Sequence, residues 1–330
     1  MLKVGLYGFG GIARAHKMAY DQCVKEAVPI ELVAVCDISE ERLKICKNLS
    51  EHIHTYQSLE AMLENETLDI VDICLPTYMH KDAIKQLLKD GYHVLCEKPM
   101  ALTSSDCIDI LEVAATSKGK LMIGQCLRFA PEYEYLKELV SNNQYGKVIS
   151  AYFQRYSGPP LWGWQNWFLD VHKSGGCLMD QHIHDVDIIR FLFGDPLGVN
   201  CYSTGDKCQY DSVMTRFVYD DEKLVFALSD WGLREGVGFR QEYRVNFERA
   251  TVILQDGILT LYKKMRPPVE IKVDKSDGIK EEIIYFVDLI LNQIANIKNP
   301  PESAAETIAL MENVRKSADS MGGYITCIGN

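Results

Sequence analysis

Residues 5–16 read GLYGFGGIARAH, with Gly8, Gly10 and Ala13 in the spacing G-x-G-x-x-A. The triplet ends an apolar run, LKVGLYG at 2–8, and opens a helical pattern over 11–26, so it lies where a strand turns into a helix. Glycine lets such a turn bring its backbone against a pyrophosphate, and the helix start adds unpaired N–H groups with a partial positive charge. Gly8, Phe9, Gly10, Gly11, Ile12 and Ala13 are therefore the candidate phosphate cradle. Glycine-rich turns are common, so the reading depends on what surrounds this one.

Outward from the turn the chain alternates. IELVAVCD (30–37), DIVDICLP (69–76), YHVLCEKP (92–99) and LMIGQCLRF (121–129) read as strands, and 39–50 and 80–90 as helices between them. That alternation predicts parallel strands with helical crossovers, an α/β Rossmann domain with a doubly wound sheet over residues 1–124. From 148 the rhythm changes: VISAYFQRY (148–156), VMTRFVY (213–219), KLVFALSDW (223–231), FRQEYRVNF (239–247), ATVILQ (250–255) and ILTLYK (258–263) are joined by turns such as DD and DG. Strands in succession predict an α+β domain with a large, open, mostly antiparallel sheet over 125–330. Two helices close the chain. One spans 279–298, with an apolar stripe of Ile283, Phe286, Val287, Ile290 and Ile294; the other spans 303–321 and begins at a capping box of Ser303 and Glu306.

Composition narrows the function. A chain of 330 residues exceeds the roughly 100–200 of one domain, which predicts two domains and a ligand site in the cleft they form. The 35 basic and 46 acidic residues leave a net charge of −11, which disfavours nucleic acid and anionic membranes as partners and favours a small molecule. Eleven cysteines without a C-x-x-C pair read as buried thiols, and the start MLKVGLYGFGG lacks the pattern of a secretory signal, so the expected location is the cytoplasm.

Asp37 ends the second strand, where an acidic residue accepts hydrogen bonds from a ribose and repels a 2′-phosphate. No arginine directly follows it, so NAD is expected rather than NADP. The alternative role of Asp37 is to cap the next helix, a task Ser39 also fits. LCEKPM places Glu97, Lys98 and Pro99 at the carboxyl end of a strand, where such sheets bind ligands. GGCLMDQHIHDVDIIRFLFG (175–194) fits a single helix from 178, with an apolar stripe of Met179, Ile183, Val186 and Phe193 and a stop at Gly194. On that helix Asp180, His184 and Asp187 share a face, and His182 points about 200° away from His184. A metal site of the H-x-H kind is thereby disfavoured, and no metal is expected. The loop YSGPPLWGWQNWF supplies Trp162, Trp164 and Trp167, either as an aromatic wall for a sugar ring or as packing at a domain interface.

Five segments in order, GFGGIA (8–13), CLPTYMH (74–80), GYHVLCEKP (91–99), GQCLRFAP (124–131) and GGCLMDQHIHDVD (175–187), resemble the Gfo/Idh/MocA oxidoreductases. The resemblance covers essentially the whole chain and includes relatives of glucose-fructose oxidoreductase and inositol dehydrogenase. It implies a catalytic group of Lys98, Asp180 and His184, and a dinucleotide surrounded by Pro76, Thr77, His80, Glu97, Lys98 and Gln125. It also implies a cis peptide before Pro99 and a homo-dimer or homo-tetramer built on the second sheet.

The implied reaction is hydride transfer between nicotinamide and a secondary alcohol of a sugar, cyclitol or derivative. His184 acts as base, Lys98 steadies the developing alkoxide, and Asp180 orients His184 or binds a neighbouring hydroxyl. His182 stands where many relatives carry a small residue and is a candidate substrate contact. Arg128 and Arg155 are candidates for an anionic substituent. Two other readings share these residues: a redox-neutral, NAD-dependent glycoside-cleaving enzyme, and a non-catalytic NAD-binding regulator.

Overall fold

Val4, Gly5 and Leu6 are buried in succession along the first strand, as in a parallel strand covered on both faces. The computed structural model describes residues 1–234, 236–274 and 276–327. In order the first part contains β1 (Leu2–Tyr7), α1 (Gly11–Lys25), β2 (Ile30–Cys36), α2 (Glu40–Leu49), β3 (His54–Tyr56), α3 (Leu59–Asn65), β4 (Ile70–Ile73), α4 (His80–Lys89), β5 (His93–Glu97), α5 (Ser104–Ala114) and β6 (Leu121–Gly124). The six strands are all parallel in the order β3-β2-β1-β4-β5-β6. The order reverses between β1 and β4, the crevice where such sheets take a dinucleotide.

The rest of the chain contains α6 (Pro131–Ser141), β7 (Val148–Tyr156), α7 (Val171–Ser174), α8 (Gly176–Asp180), α9 (His182–Phe193), β8 (Gly198–Thr204), β9 (Ser212–Val218), β10 (Leu224–Asp230), β11 (Arg240–Phe247), β12 (Ala250–Gln255), β13 (Ile258–Lys263), β14 (Val269–Glu270), α10 (Gly278–Leu291), α11 (Pro301–Asp319) and β15 (Ile325–Thr326). Among the described residues its strands form one sheet in the order β14-β13-β12-β11-β7-β10-β9-β8-β15, antiparallel except for β7 beside β10. The two sheets bear out the α/β and α+β division.

Where the chain divides differs from the expected 124/125 boundary. One compact unit is Met1–Ala130 with Ser276–Ala305, the other Pro131–Lys275 with Glu306–Asn330. The reason is α10, whose Ile283, Phe286, Val287 and Leu289 are buried in the same core as Leu6, Ala19, Tyr20 and Ile70. Lys280 of α10 adds an ion pair to Glu26 at the end of α1.

Three expected helices are corrected. The helix expected over 279–298 stops at Leu291, and Ser303 lies inside α11 rather than at its start, which is Pro301. Ser303 Oγ instead accepts from Arg128, and Glu306 pairs with Arg190, so the capping box does not form. The helix from 178 is broken at Gln181. Its stop at Gly194, with φ of 79°, is as expected.

Candidate functional site

The phosphate turn has the form its glycines require. Gly8 has φ of 92°, and a Cβ there would lie 2.7 Å from the Cys74 carbonyl oxygen; a Cβ on Gly10 would project into open space. α1 begins with no side-chain cap and no acidic residue in its first turn, so its N–H groups stay available to an anion. Phe9 is buried and its N–H donates to Asp37 at 2.7 Å, which ties the turn to the tip of β2. Gly11 and Ile12 are exposed, and Ala13 is buried in the core. An anionic pyrophosphate fits this cradle.

Asp37 is not the helix cap. Ser39 takes that role, its Oγ accepting from Arg42 N at 3.4 Å, and Asp37 accepts from Ser39 N at 2.7 Å. Arg42 also reaches the Asp37 carboxylate at 3.5 Å. A guanidinium this close was not read from the sequence, because it comes one helical turn later rather than next to Asp37.

On the other side of the switch point, Pro76 precedes a short turn over Thr77–Met79, with Thr77 buried. His80 is buried with its two ring nitrogens 2.7 Å from Pro99 O and 2.9 Å from Leu75 O. It braces the segment after β5 from within and offers no ring atom to a ligand. The Lys98–Pro99 peptide is cis. Gln125 is buried just after β6, and Lys98 is half-buried at the end of β5.

Glu97 faces inward. One oxygen lies 2.9 Å from His16 Nε2 and the other accepts from Lys98 N at 3.2 Å. His16 Nδ1 is 2.7 Å from Asp72, which also accepts from Tyr20 at 2.8 Å. Burial alone would lower the His16 pKa, but the Asp72 charge and hydrogen bond hold it well above its ordinary value. Two groups here, His16–Asp72–Cys74 and His16–Glu97–Glu282, bring ligand-type atoms within 4.8 Å of one another. An imidazolium donates from both nitrogens and keeps no lone pair for a metal, so these are hydrogen-bonded charge clusters.

In the second unit the segment after Gly175 sorts its ionisable residues sharply. His182 is 0% exposed, its nitrogens 2.9 Å from Ser229 Oγ and 2.8 Å from Thr215 Oγ1. It is a core histidine and not a substrate contact. Asp185 is buried against Arg155, and Arg155 also reaches Gln241, so Arg155 is spent in the interior as well. Asp187 lies one turn after His184 in α9, is buried and accepts from Thr307 at 2.8 Å. Asp180 ends α8, and His184 lies in the first turn of α9; both are half-buried.

Arg128 is only 2% exposed and donates to Lys298 O and Ser303 Oγ, which fixes α10's connection to α11 and removes it as an anion-binding group. Trp167 stacks on Phe168 with centroids 4.0 Å apart, and Phe168 packs with Cys177 and Trp231 inside its own unit. Trp164 is half-buried. Trp162 is 68% exposed and makes an edge contact to Phe168 at 4.8 Å between centroids. Of the three indoles it presents the most open surface.

All eleven cysteines are free thiols, nine of them buried, as expected. Among the described residues no helix is long and apolar enough to cross a membrane.

Two family models match in sequence order. The one described as oxidoreductase family, NAD-binding Rossmann fold, spans residues 2–125, and the GFO/IDH/MocA C-terminal domain spans 133–253. Inositol 2-dehydrogenase of Rhizobium meliloti (strain 1021) is 27% identical over 323 residues, 92% of this chain and 90% of that protein. 2,7-anhydro-N-acetylneuraminate hydratase of Escherichia coli (strain K12) is 30% identical over 144 residues, 42% of this chain and 37% of that protein. Among solved structures, levoglucosan dehydrogenase in complex with NADH and levoglucosan has the same fold, with a TM-score of 0.86 at 16% identity and 99% and 100% of the two chains covered. The chain belongs to the Gfo/Idh/MocA family of NAD-binding oxidoreductases.

Proposed function

We propose that the protein is an NAD-dependent dehydrogenase that oxidises a secondary alcohol of a sugar, cyclitol or related polyol, with Lys98, Asp180 and His184 as its catalytic residues. The observation that carries this reading is selective access. Of the ionisable residues between 180 and 190, His182, Asp185, Asp187 and Arg190 are buried in internal hydrogen bonds, while Asp180 and His184 remain half-buried. Bound NAD supplies the hydride acceptor. His184 takes the hydroxyl proton, Asp180 sets the orientation of the ring, and Lys98 stabilises charge on the substrate oxygen. Gly8–Ala13 hold the pyrophosphate, Asp37 accepts from the adenosine ribose, and Pro76, Thr77 and Gln125 border the nicotinamide half. Trp162 offers an apolar face to a sugar ring. The proposal also places the protein in the cytoplasm as a homo-oligomer assembled through the second sheet.

A second reading has a named relative behind it, the hydratase. There the cofactor would be reduced and reoxidised within one turnover and a bond to carbon cleaved without net oxidation.

The test supplies NAD with inositols, aldoses, sugar acids, sugar phosphates and glycosides while following nicotinamide absorbance and products. A dehydrogenase accumulates NADH in proportion to a ketone product; product without NADH selects the second reading. His184→Ala lowers turnover about 10²- to 10⁴-fold with dinucleotide affinity kept, and Asp37→Ala weakens the dinucleotide instead. Parallel loss of both properties in His184→Ala would show a folding role and remove that residue from the mechanism.

A further inference from the structure

Behind Lys98 the first unit holds a closed set of ionisable side chains that dinucleotide binding does not use. His16 of α1 stands between Asp72 of β4, at 2.7 Å, and Glu97 of β5, at 2.9 Å. Tyr20 donates to one oxygen of Asp72 and Cys74 Sγ, at 3.8 Å, to the other. Glu282 of α10 brings a carboxyl oxygen within 4.8 Å of both His16 and Glu97, and neither of its oxygens has a hydrogen-bond partner among the described residues. His16, Asp72 and Glu282 are all 0% exposed.

The charges of these groups follow from their contacts. Asp72 accepts from three donors, which suits a carboxylate, and the donors include both aromatic neighbours on α1. Burial would raise Glu97, but the hydrogen bond and charge of His16, with Lys98 beyond, hold it below the usual carboxylate range. Burial, with the Glu97 charge, pushes Glu282 well above that range, so it is a neutral acid. The Cys74 thiol is pushed up to about 12 by burial, and Tyr20 and Cys96 are raised for the same first reason. One imidazolium and two carboxylates therefore leave a single negative charge. His16 and Asp72 are sealed from water and Glu97 is only 6% exposed, so the charge is held by internal hydrogen bonds.

Its place in the sheet gives that charge a use. In a doubly wound sheet of this order the dinucleotide lies across the switch point, with Asp37 on the β2 side for one ribose and the β4–β5 side left for the nicotinamide half. Oxidised nicotinamide is a cation and reduced nicotinamide is neutral. The Lys98 ammonium already puts a positive charge at the end of β5, so the oxidised cofactor meets a like charge there unless something opposes it.

We propose that His16, Asp72 and Glu97 form a fixed, buried counter-charge at the carboxyl end of β5 that favours binding of oxidised NAD over NADH. The inference rests on NAD binding and not on the identity of the substrate. Asp72 is a positioning and charge-setting residue: it touches His16, Tyr20 and Cys74.

The test is the ratio of dissociation constants for NAD and NADH, measured by titration calorimetry on the full chain at neutral pH. Glu97→Gln removes the net charge at nearly constant shape, because Asp72 still holds His16 protonated, and raises the ratio Kd(NAD)/Kd(NADH) about three- to tenfold, the size expected for one charge acting through a partly hydrated region. Combining Glu97→Gln with His16→Gln and Asp72→Asn makes the whole set neutral and raises the ratio by the same amount. Glu282→Gln exchanges a neutral acid for a neutral amide and leaves the ratio in place. Circular dichroism and Tm check that each variant is folded; if the triple variant does not fold, Glu97→Gln carries the test. Equal weakening of both cofactors, or an unchanged ratio, marks the set as purely structural and overturns the inference. Failure of the unaltered chain to bind either cofactor would overturn the NAD assignment itself, a separate outcome.

Discussion

His182 was the residue that most complicated the sequence, because H-x-H invites a metal and a histidine beside a catalytic one invites a substrate. Its hydroxyl partners, Ser229 and Thr215, are 47 and 33 residues away in the chain and carry no local signal. Burial, reinforced by the Arg155 charge, lowers its pKa to about 3, so the ring is neutral in the folded protein. Above the unfolded value of ~6.5 the neutral ring costs nothing to keep, and from there down to about 3 the unfolded state binds a proton that the folded state refuses. Stability is therefore lost as pH falls through that window, by about 2 kcal/mol between pH 7 and pH 5 from this group. His182→Gln keeps a donor and an acceptor for the two hydroxyls and removes the titration. Urea denaturation at pH 7 and pH 5 should show a smaller acid loss in the variant than in the unaltered protein; equal losses would show that His182 titrates normally. Asp37 just after β2 and the glycines between β1 and α1 were legible as positions because the strand ends and the helix start beside them are local patterns.

The break between α8 and α9 was hidden from the sequence because the apolar stripe runs through it: Met179, Ile183 and Val186 are all buried on either side of Gln181. What marks the element is the glycine pair before it. Gly175 and Gly176 have φ of 75° and 68°, and a Cβ on Gly175 would lie 2.3 Å from Met179 Cγ and 2.4 Å from its Cβ. The left-handed backbone alone costs a non-glycine residue roughly 1–2 kcal/mol, and here the clash lies within the same short helix. Gly257 is the contrast: with Asp256 at φ of 48° it makes the two-residue turn from β12 to β13, and a Cβ there meets nothing within 4 Å. Gly175→Ala should therefore cost about 3 kcal/mol in denaturant unfolding and lower turnover by displacing Asp180, whereas Gly257→Ala should cost about 1 kcal/mol and leave turnover alone. Similar costs for both would mean that the Met179 contact relaxes freely. The hairpin was legible because DG between two alternating runs is a local code, and the α8 break was not, because its cause is a pair of backbone angles.

Two sheets, their strand directions and most of their strands were legible because alternation and tight turns are local patterns; β3 and α3, three and seven residues long, are too short to stand out, and α5 and α6 were passed over although each is as long as α2 and α4. Two units dividing near residue 125 were legible, but the return of residues 276–305 to the first unit was not, since nothing in residues 278–291 announces that their apolar stripe belongs to a core formed from the start of the chain. Burial of Ile283, Phe286, Val287 and Leu289 contributes on the order of 6–12 kcal/mol before the cost of ordering the helix, at roughly 1.5–3 kcal/mol for each side chain. That is as large as the whole stability of an ordinary domain, about 5–15 kcal/mol. A chain ending at Ala130 would lack this contribution, leave the inner face of α1 open, and should neither unfold cooperatively nor bind NADH. The remedy is short, because Gly278 lies against Ala130: a Cβ on Gly278 would be 3.4 Å from Ala130 Cβ and 2.5 Å from Cys126 O. Residues 1–130 joined by a few glycines and serines to 276–305 should thus fold as one unit, with a single cooperative transition and NADH binding seen by fluorescence. If residues 1–130 alone bind NADH as well as the joined chain does, α10 is a passenger on this core, and the counter-charge built against it would lose its roof without consequence.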